Sequence, residues 1–264
     1  MGYWKGKRVL VTGACRGLGL VLTRQLLAQE ARVVIHSNLT PLPNDELLLK
    51  AIENGQAIHI RADLCSVDET LQLMAAVDEH FDGLDVLIHN AGISAHGSFM
   101  ETTSATFRQV IDTNLSGLVA LTKAALPSVI KAQGSLFFIS SLAAIYGVPN
   151  YLSYSISKAA LVPLQEGLEL ELKPYGVHVG LVYLGFVEND QVKYALNTVG
   201  DKIPVPQRKI RTKISKDRAA TKILWAIEKR KRKIFGDFSG SLMWLLKMLL
   251  PATLRMALNR NQKR

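Results

Sequence analysis

The stretch TGACRGLG, Thr12 to Gly19, follows a short β-branched run and precedes a helical pattern, and it constrains the fold more than any other part of the chain. Glycine is needed where φ is positive or where a side chain would block a close neighbour. Gly13, Gly17 and Gly19 stand between a first strand and a first helix. There they make a turn whose backbone N–H groups and helix N-terminus suit a pyrophosphate. A plain βα turn has no use for all three. The spacing is G-x-x-x-G-x-G rather than the commoner G-x-G-x-x-G.

The rest of the chain repeats this alternation. Strands are expected at Arg8–Val11, Arg32–His36, Ala57–Ile60, Val86–His89, Ser135–Ser140, His178–Tyr183 and Lys233–Phe235. Amphipathic helical segments lie between them, notably Leu18–Gln29, Ser66–Phe81, Thr103–Lys131 and Ser155–Lys173. Continuous apolar strands separated by helices imply a parallel sheet covered on both faces. With right-handed crossovers the fold class is α/β: a doubly wound, Rossmann-like, mostly seven-stranded parallel sheet. One domain is expected over residues 1–238, with an excursion at 186–214 between the sixth and seventh strands. A basic amphipathic tail is expected over 239–264.

Composition adds limits. At 48% hydrophobic and 20% charged, the 264 residues can bury a substantial core. The two cysteines, Cys15 and Cys65, make no disulfide framework and lack metal-ligand spacing, so a reducing, cytoplasmic setting is expected. The six histidines show no ligand spacing, and no metal is expected. His59 and His178 read as structural, and His96 as a candidate lining residue of a substrate cleft. No apolar run is long enough to span a bilayer.

The net charge of +10 is unevenly placed: residues 1–192 hold 13 Lys/Arg against 18 Asp/Glu, and residues 193–264 hold 19 against 4. A localised basic surface follows, rather than nucleic-acid binding across the whole fold. Lys229–Lys233 is a run of five cations. After it, Leu242, Leu245, Leu246, Leu249 and Leu250 recur at helical spacing until Pro251 should break the helix. Such a stretch suits either a membrane interface or packing on protein.

Tyr154 and Lys158 lie four residues apart in YSISK, which places both on one helical face. A free phenol has a pKa near ~10. An ammonium ~4 Å away favours the phenolate by up to about 4 kcal/mol at an effective dielectric of ~20. A Tyr tuned in that way handles a proton at a carbonyl or alcohol.

With these residues in view, the chain resembles the short-chain dehydrogenase/reductase family in its single-domain form. The resemblance rests on the glycine turn, Asp63, Asn90-Ala91-Gly92, Asn114, Ser141 and YSISK, in the family's order over roughly residues 6–190. It implies an NAD(P)(H)-dependent oxidoreductase interconverting a ketone or aldehyde and an alcohol. Tyr154 would be the general acid or base. Lys158 would lower its pKa and hold the nicotinamide ribose. Ser141 would bond the substrate oxygen, and Asn114 would hold a water linking Lys158 to solvent. Cofactor contacts are implied at Gly13, Arg16, Gly17, Leu18, Gly19, Ser37, Asn38, Asp63, Leu64, Asn90, Ala91, Gly92, Tyr154, Lys158, Gly185, Val187 and Asn189, with Asp63 on the adenine. Ser37 and Asn38 stand where a carboxylate would reject a 2′-phosphate, and Arg16 offers a planar fork to one, so NADP(H) is favoured over NAD(H).

The chain departs from the family pattern in three places: Leu184-Gly185 replaces Pro-Gly, Asn189 stands for the usual Thr, and His89 precedes Asn90. The apolar members of the excursion (Val187, Tyr194, Leu196, Val199, Ile203) suit a lipophilic substrate. The family also implies a homodimer or homotetramer. The competing readings are a catalytically silent dinucleotide-binding scaffold and a membrane-surface binding protein.

Overall fold

The computed structural model describes residues 2–188, 193–205 and 213–252. Its strands are β1 (Arg8–Val11), β2 (Arg32–Ser37), β3 (Ala57–Arg61), β4 (Val86–His89), β5 (Ser135–Ser141), β6 (His178–Leu184), β7 (Lys193–Leu196), β8 (Lys202–Val205) and β9 (Lys233–Phe235). Seven of them form one sheet in the order β3-β2-β1-β4-β5-β6-β9, every pair parallel. The order reverses between β1 and β4, which opens a crevice at the carboxyl ends of those strands.

The strands are apolar on both faces because both faces are covered. Val9 and Val11 belong to one core and Leu10 to the other; Phe137 and its neighbour Phe138 divide in the same way. On the first face lie α1 (Gly17–Ala28), α2 (Glu46–Glu53) and α7 (Lys216–Glu228). On the second lie α3 (Val67–Phe81), α5 (Gly117–Lys131) and α6 (Leu152–Leu172), with α4 (Ser104–Ile111) leading into α5 and packing on α6. The last helix is α8 (Phe238–Leu249).

Capping explains several starts. Ser66, Thr103 and Ser215 accept from the third residue of α3, α4 and α7, while Asp45 and Asp237 cap α2 and α8. No side chain caps α1.

The expected helix over Thr103–Lys131 is not continuous, since Asp112–Ser116 forms a π turn between α4 and α5. The helix expected from Ser155 begins at Leu152, so Tyr154 sits in its first turn. Two elements were not anticipated: α2, and the antiparallel hairpin β7–β8 inside the 186–214 excursion. That hairpin lies against the loop after β4: Leu196 donates to Ser94 O at 2.8 Å and accepts from His96 N at 2.8 Å. At the far end of the excursion, Val187 bridges Ile214. Pro251 follows the end of α8, as its backbone chemistry requires. Residues 253–264 of the expected tail lie outside the described residues.

Candidate active site

The glycine turn is built into the crevice. Gly17 adopts φ +56°, and a Cβ there would meet open space. Gly19 has the opposite need: a Cβ would collide with the Gly13 carbonyl and approach Asn90 Nδ2 to 2.6 Å. Asn90 stitches the turn to β4. Its Nδ2 donates to Thr12 O at 2.8 Å and Gly13 O at 3.1 Å, while its own N–H donates to Thr12 Oγ1 at 3.0 Å. Ala91 N–H donates to the same hydroxyl. With no side chain on its first amides, the start of α1 keeps the donors that a pyrophosphate requires. A dinucleotide therefore fits this cradle.

At the adenosine end, the Ser37 hydroxyl is engaged within the protein. Its Oγ donates to Thr40 O at 2.7 Å and meets His59 Nε2 at 3.0 Å, and the residue is buried. Asn38 and Arg16 are exposed. Asp63 Oδ1 accepts from Cys65 N, and Leu64 is buried in the core. Sequence reading missed Arg61. It pairs in register with Ser37, and its Nε donates to Asn38 O at 3.1 Å. The signal was cross-strand pairing rather than spacing along the chain. His36 is also buried, with Nδ1 facing Gly13 N–H and Nε2 donating to Ala62 O at 3.0 Å. Burial draws its pKa down, so it stands neutral against the turn.

The other end of the crevice gathers Asn114, Ser141, Tyr154 and Lys158. Asn114, fully buried in the π turn, accepts from Ile93 N–H and donates to Ile93 O, both at 2.8 Å, and donates to Ser157 Oγ at 2.9 Å. Such one-residue excesses in helices recur at functional positions. A Cβ on Gly92 would lie 3.1 Å from Asn114 Oδ1 and 3.4 Å from Lys158 Nζ, so both groups surround this glycine. Lys158 donates to Ile139 O at 2.9 Å, and its Nζ lies 5.9 Å from the Tyr154 ring centre. Ser141 accepts from Ala143 N at 3.2 Å and hydrogen-bonds the Tyr154 phenol.

The electrostatics differ from the expectation that Lys158 lowers the phenol's pKa. Burial pushes the Tyr154 phenol up, and the bond with Ser141 pulls it part of the way back. Burial, then the nearby Lys193 charge, bring Lys158 down to about 8. The ammonium is turned to a backbone carbonyl instead of the phenol oxygen. Behind it, His89 stacks on Phe138 at 5.0 Å and bonds Thr122 Oγ1 at 2.9 Å. Burial, with the Lys158 charge second, takes His89 to about 3, so it is a neutral wall.

Gly185 follows β6 without positive φ. What it needs is room, because a Cβ would come within 3.2 Å of both Asp237 Oδ2 and Leu142 Cδ1. Val187 follows in the bridge to Ile214, and Asn189 lies outside the described residues. His96 packs on Tyr151, ring centres 4.8 Å apart, beside the loop covered by the hairpin.

A sheet that reverses at a glycine turn, with a Tyr–Lys helix at the adjoining strand ends, defines an oxidoreductase built on a dinucleotide crevice. The chain belongs to the short-chain dehydrogenase/reductase family, whose short chain dehydrogenase model matches residues 7–199. It is an NAD(P)-dependent oxidoreductase. A 3-oxoacyl-acyl-carrier-protein reductase of Synechocystis is 32% identical over 186 residues, 70% of this chain and 75% of that protein. Dehydrogenase/reductase SDR family member 7B of Xenopus tropicalis is 30% identical over 257 residues, 94% of this chain and 83% of that one. Among solved structures, a short chain dehydrogenase from Burkholderia cenocepacia, in complex with NADP, superposes with a TM-score of 0.81 at 22% identity, covering 97% of this chain and 98% of that one.

Proposed function

We propose that the protein interconverts a lipophilic ketone or aldehyde and its alcohol, with Tyr154 as the proton donor and acceptor. The observation that carries this reading is that Asn114 and Lys158 meet around Gly92 while Lys158 Nζ lies 5.9 Å from the Tyr154 ring centre and Ser141 is the side-chain partner of the Tyr154 phenol. When bound, the nicotinamide supplies or receives the hydride. Tyr154 gives its phenolic proton to the carbonyl oxygen in reduction and takes it back in oxidation. A phenol pushed up by burial stays protonated at neutral pH, which suits the reductive direction. Ser141 holds the same oxygen as charge develops. Lys158, bonded to Ile139 O, would hold the nicotinamide ribose. Asn114 retains one Oδ1 lone pair for a water that would return protons to Lys158.

Exposed Phe99 and Met100 after β4, and Phe186, Tyr194 and Val199 in the excursion after β6, favour an apolar substrate. Arg61, bonded to Asn38 O after β2, and the exposed Arg16 of the glycine turn favour NADP(H) over NAD(H), since a guanidinium suits a 2′-phosphate. A homodimer or homotetramer in the cytoplasm completes the reading.

A carbonyl panel followed by NADPH oxidation tests it. Tyr154→Phe should lower kcat about 10²–10⁴-fold while NADPH still quenches or enhances fluorescence with unchanged affinity. Retained turnover overturns the role of Tyr154. Arg61→Ala should raise KM for NADPH about tenfold or more and leave KM for NADH unchanged. Equal effects on both cofactors would remove Arg61 from the 2′-phosphate site.

A further inference from the structure

We propose that α8 and the cationic segment before β9 form a docking surface for an anionic lipid bilayer. At ~100° per residue, Phe238, Leu242, Leu245 and Leu249 fall within roughly 60° of one another on α8. All four are exposed, Phe238 at 80% and Leu249 at 67%, and Met248 flanks them. The opposite side of the helix faces the protein. Gly240 lies against Leu142, Met243 packs into the core, and Lys247 donates to Ile145 O. The exposed stripe is thus not a misplaced core face, because the core face of α8 is already used.

Charge says what covers the stripe. Lys229, Arg230, Lys231, Arg232 and Lys233 are all exposed, and with Trp244 they border one open groove. Trp244 lies about 100° round α8 from Leu245, on the side toward the cations and with exposed Met248 between them, where an indole suits a wet apolar boundary. Three carboxylates, Glu228, Glu169 and Glu166, pair with Lys229, Arg232 and Lys233. Arg230 is held by the Gly176 carbonyl, and Lys231 lies 5.7 Å from the Trp225 ring centre. The segment remains net positive, and the sequence contains no Asp or Glu after Asp237. An apolar helical face beside clustered Lys and Arg matches the headgroup and acyl boundary of an anionic membrane. A nucleic acid would leave the stripe uncovered. A second copy joined about a two-fold axis through this face would bring the cationic segment against itself.

Docking here would act on the site described above. Leu142 and Ile145, on which α8 rests, lie one and four residues after Ser141, and exposed Phe186 and Phe238 flank the close approach of Gly185 to Asp237. The mouth for substrate would then open at the lipid boundary, a step that rests on the lipophilic-carbonyl reading.

Sedimentation of the full chain with vesicles tests the surface. Wild type should pellet with phosphatidylcholine–phosphatidylserine vesicles, about tenfold or more better than with phosphatidylcholine alone, and Trp244 emission should shift to the blue. Leu245→Asp with Leu249→Asp, and separately Lys229→Gln with Lys231→Gln, should each lower binding about tenfold or more. Circular dichroism and turnover of a short soluble carbonyl should match wild type. Absence of pelleting, or equal pelleting by the Asp variant, overturns the proposal. So does light scattering in which the Asp substitutions convert an oligomer to monomers, because the stripe would then be a contact between copies. Binding is read without turnover, so an inactive protein that binds vesicles contradicts only the proposed function, and an active one that does not bind contradicts only the docking surface.

Discussion

Lys158 shows how a single residue can be held against its own stability. Its pKa in the fold is about 8 against an ordinary 10.5, so its charged form is less favoured in the folded chain than in the unfolded one. Below pH 8 both states carry the proton and the native state bears the full cost. As pH rises from 8 to 10.5 the unfolded chain binds more protons, so this group's contribution to stability improves with pH. Lys158→Met should therefore be inactive yet about 1–3 kcal/mol more stable than wild type at pH 7, with the gap closing toward pH 10; urea unfolding at both pH values measures it. The Tyr154–Lys158 pair was legible because both residues lie on one helix, where spacing maps directly onto a face. Arg61 was not, because its neighbour Asn38 follows another strand, β2, and only the register of Ser37 with Arg61 brings them together. The direction of the Tyr154 shift was also hidden, since it depends on burial and on where Nζ turns, and a sequence shows neither.

At the scale of elements, the glycine turn makes the sharpest contrast. Gly17→Ala meets open space but must hold φ +56°, a strain of about 1–2 kcal/mol. Gly19→Ala drives a Cβ into the Gly13 backbone, which has no flexible end to yield, and should cost more than about 2 kcal/mol and abolish NADPH binding. Thermal unfolding with and without NADPH separates the two: the Gly17 variant should keep a cofactor-induced rise in Tm and the Gly19 variant should lose it. The parallel sheet was readable because its strands are apolar on both faces and sit between amphipathic helices. The π turn was not, because it differs from the flanking helices in backbone hydrogen bonding, and nothing in the side chains of Asp112–Ser116 marks that change. The β7–β8 hairpin escaped for a related reason: Lys193–Leu196 and Lys202–Val205 are four residues each, and KYAL and KIPV, the second holding a proline, carry too little pattern to read as strands.

Across the whole molecule, buried neutral histidines set the response to acid. His89 is held at about 3 and His178 at about 4, both mainly by burial, against an ordinary 6.5. His178 Nδ1 is buried with no hydrogen-bond partner. For both groups the unfolded chain takes up protons first as pH falls, so stability present above pH 6.5 is lost on acidification. Together they should remove about 2–4 kcal/mol between pH 7 and pH 5, visible as a falling urea midpoint, and His178→Gln should reduce that slope. The sequence-level split in charge survives in the fold as a cationic segment beside α8, well apart from the glycine turn. The long helical passage from β4 to β5 has a consequence for how the chain can vary. Asn114 meets Ile93 and Ser157 on one side of the π turn, and just past it a Cβ on Gly117 would press to 2.6 Å from Leu64 O. One residue is ~100° of helix, so deleting or inserting a single position there would turn one of these contacts away. Surface positions of α4 and α5 can change identity more freely, but the spacing from Asn114 to Gly117 is fixed by the neighbours these two residues must reach at once.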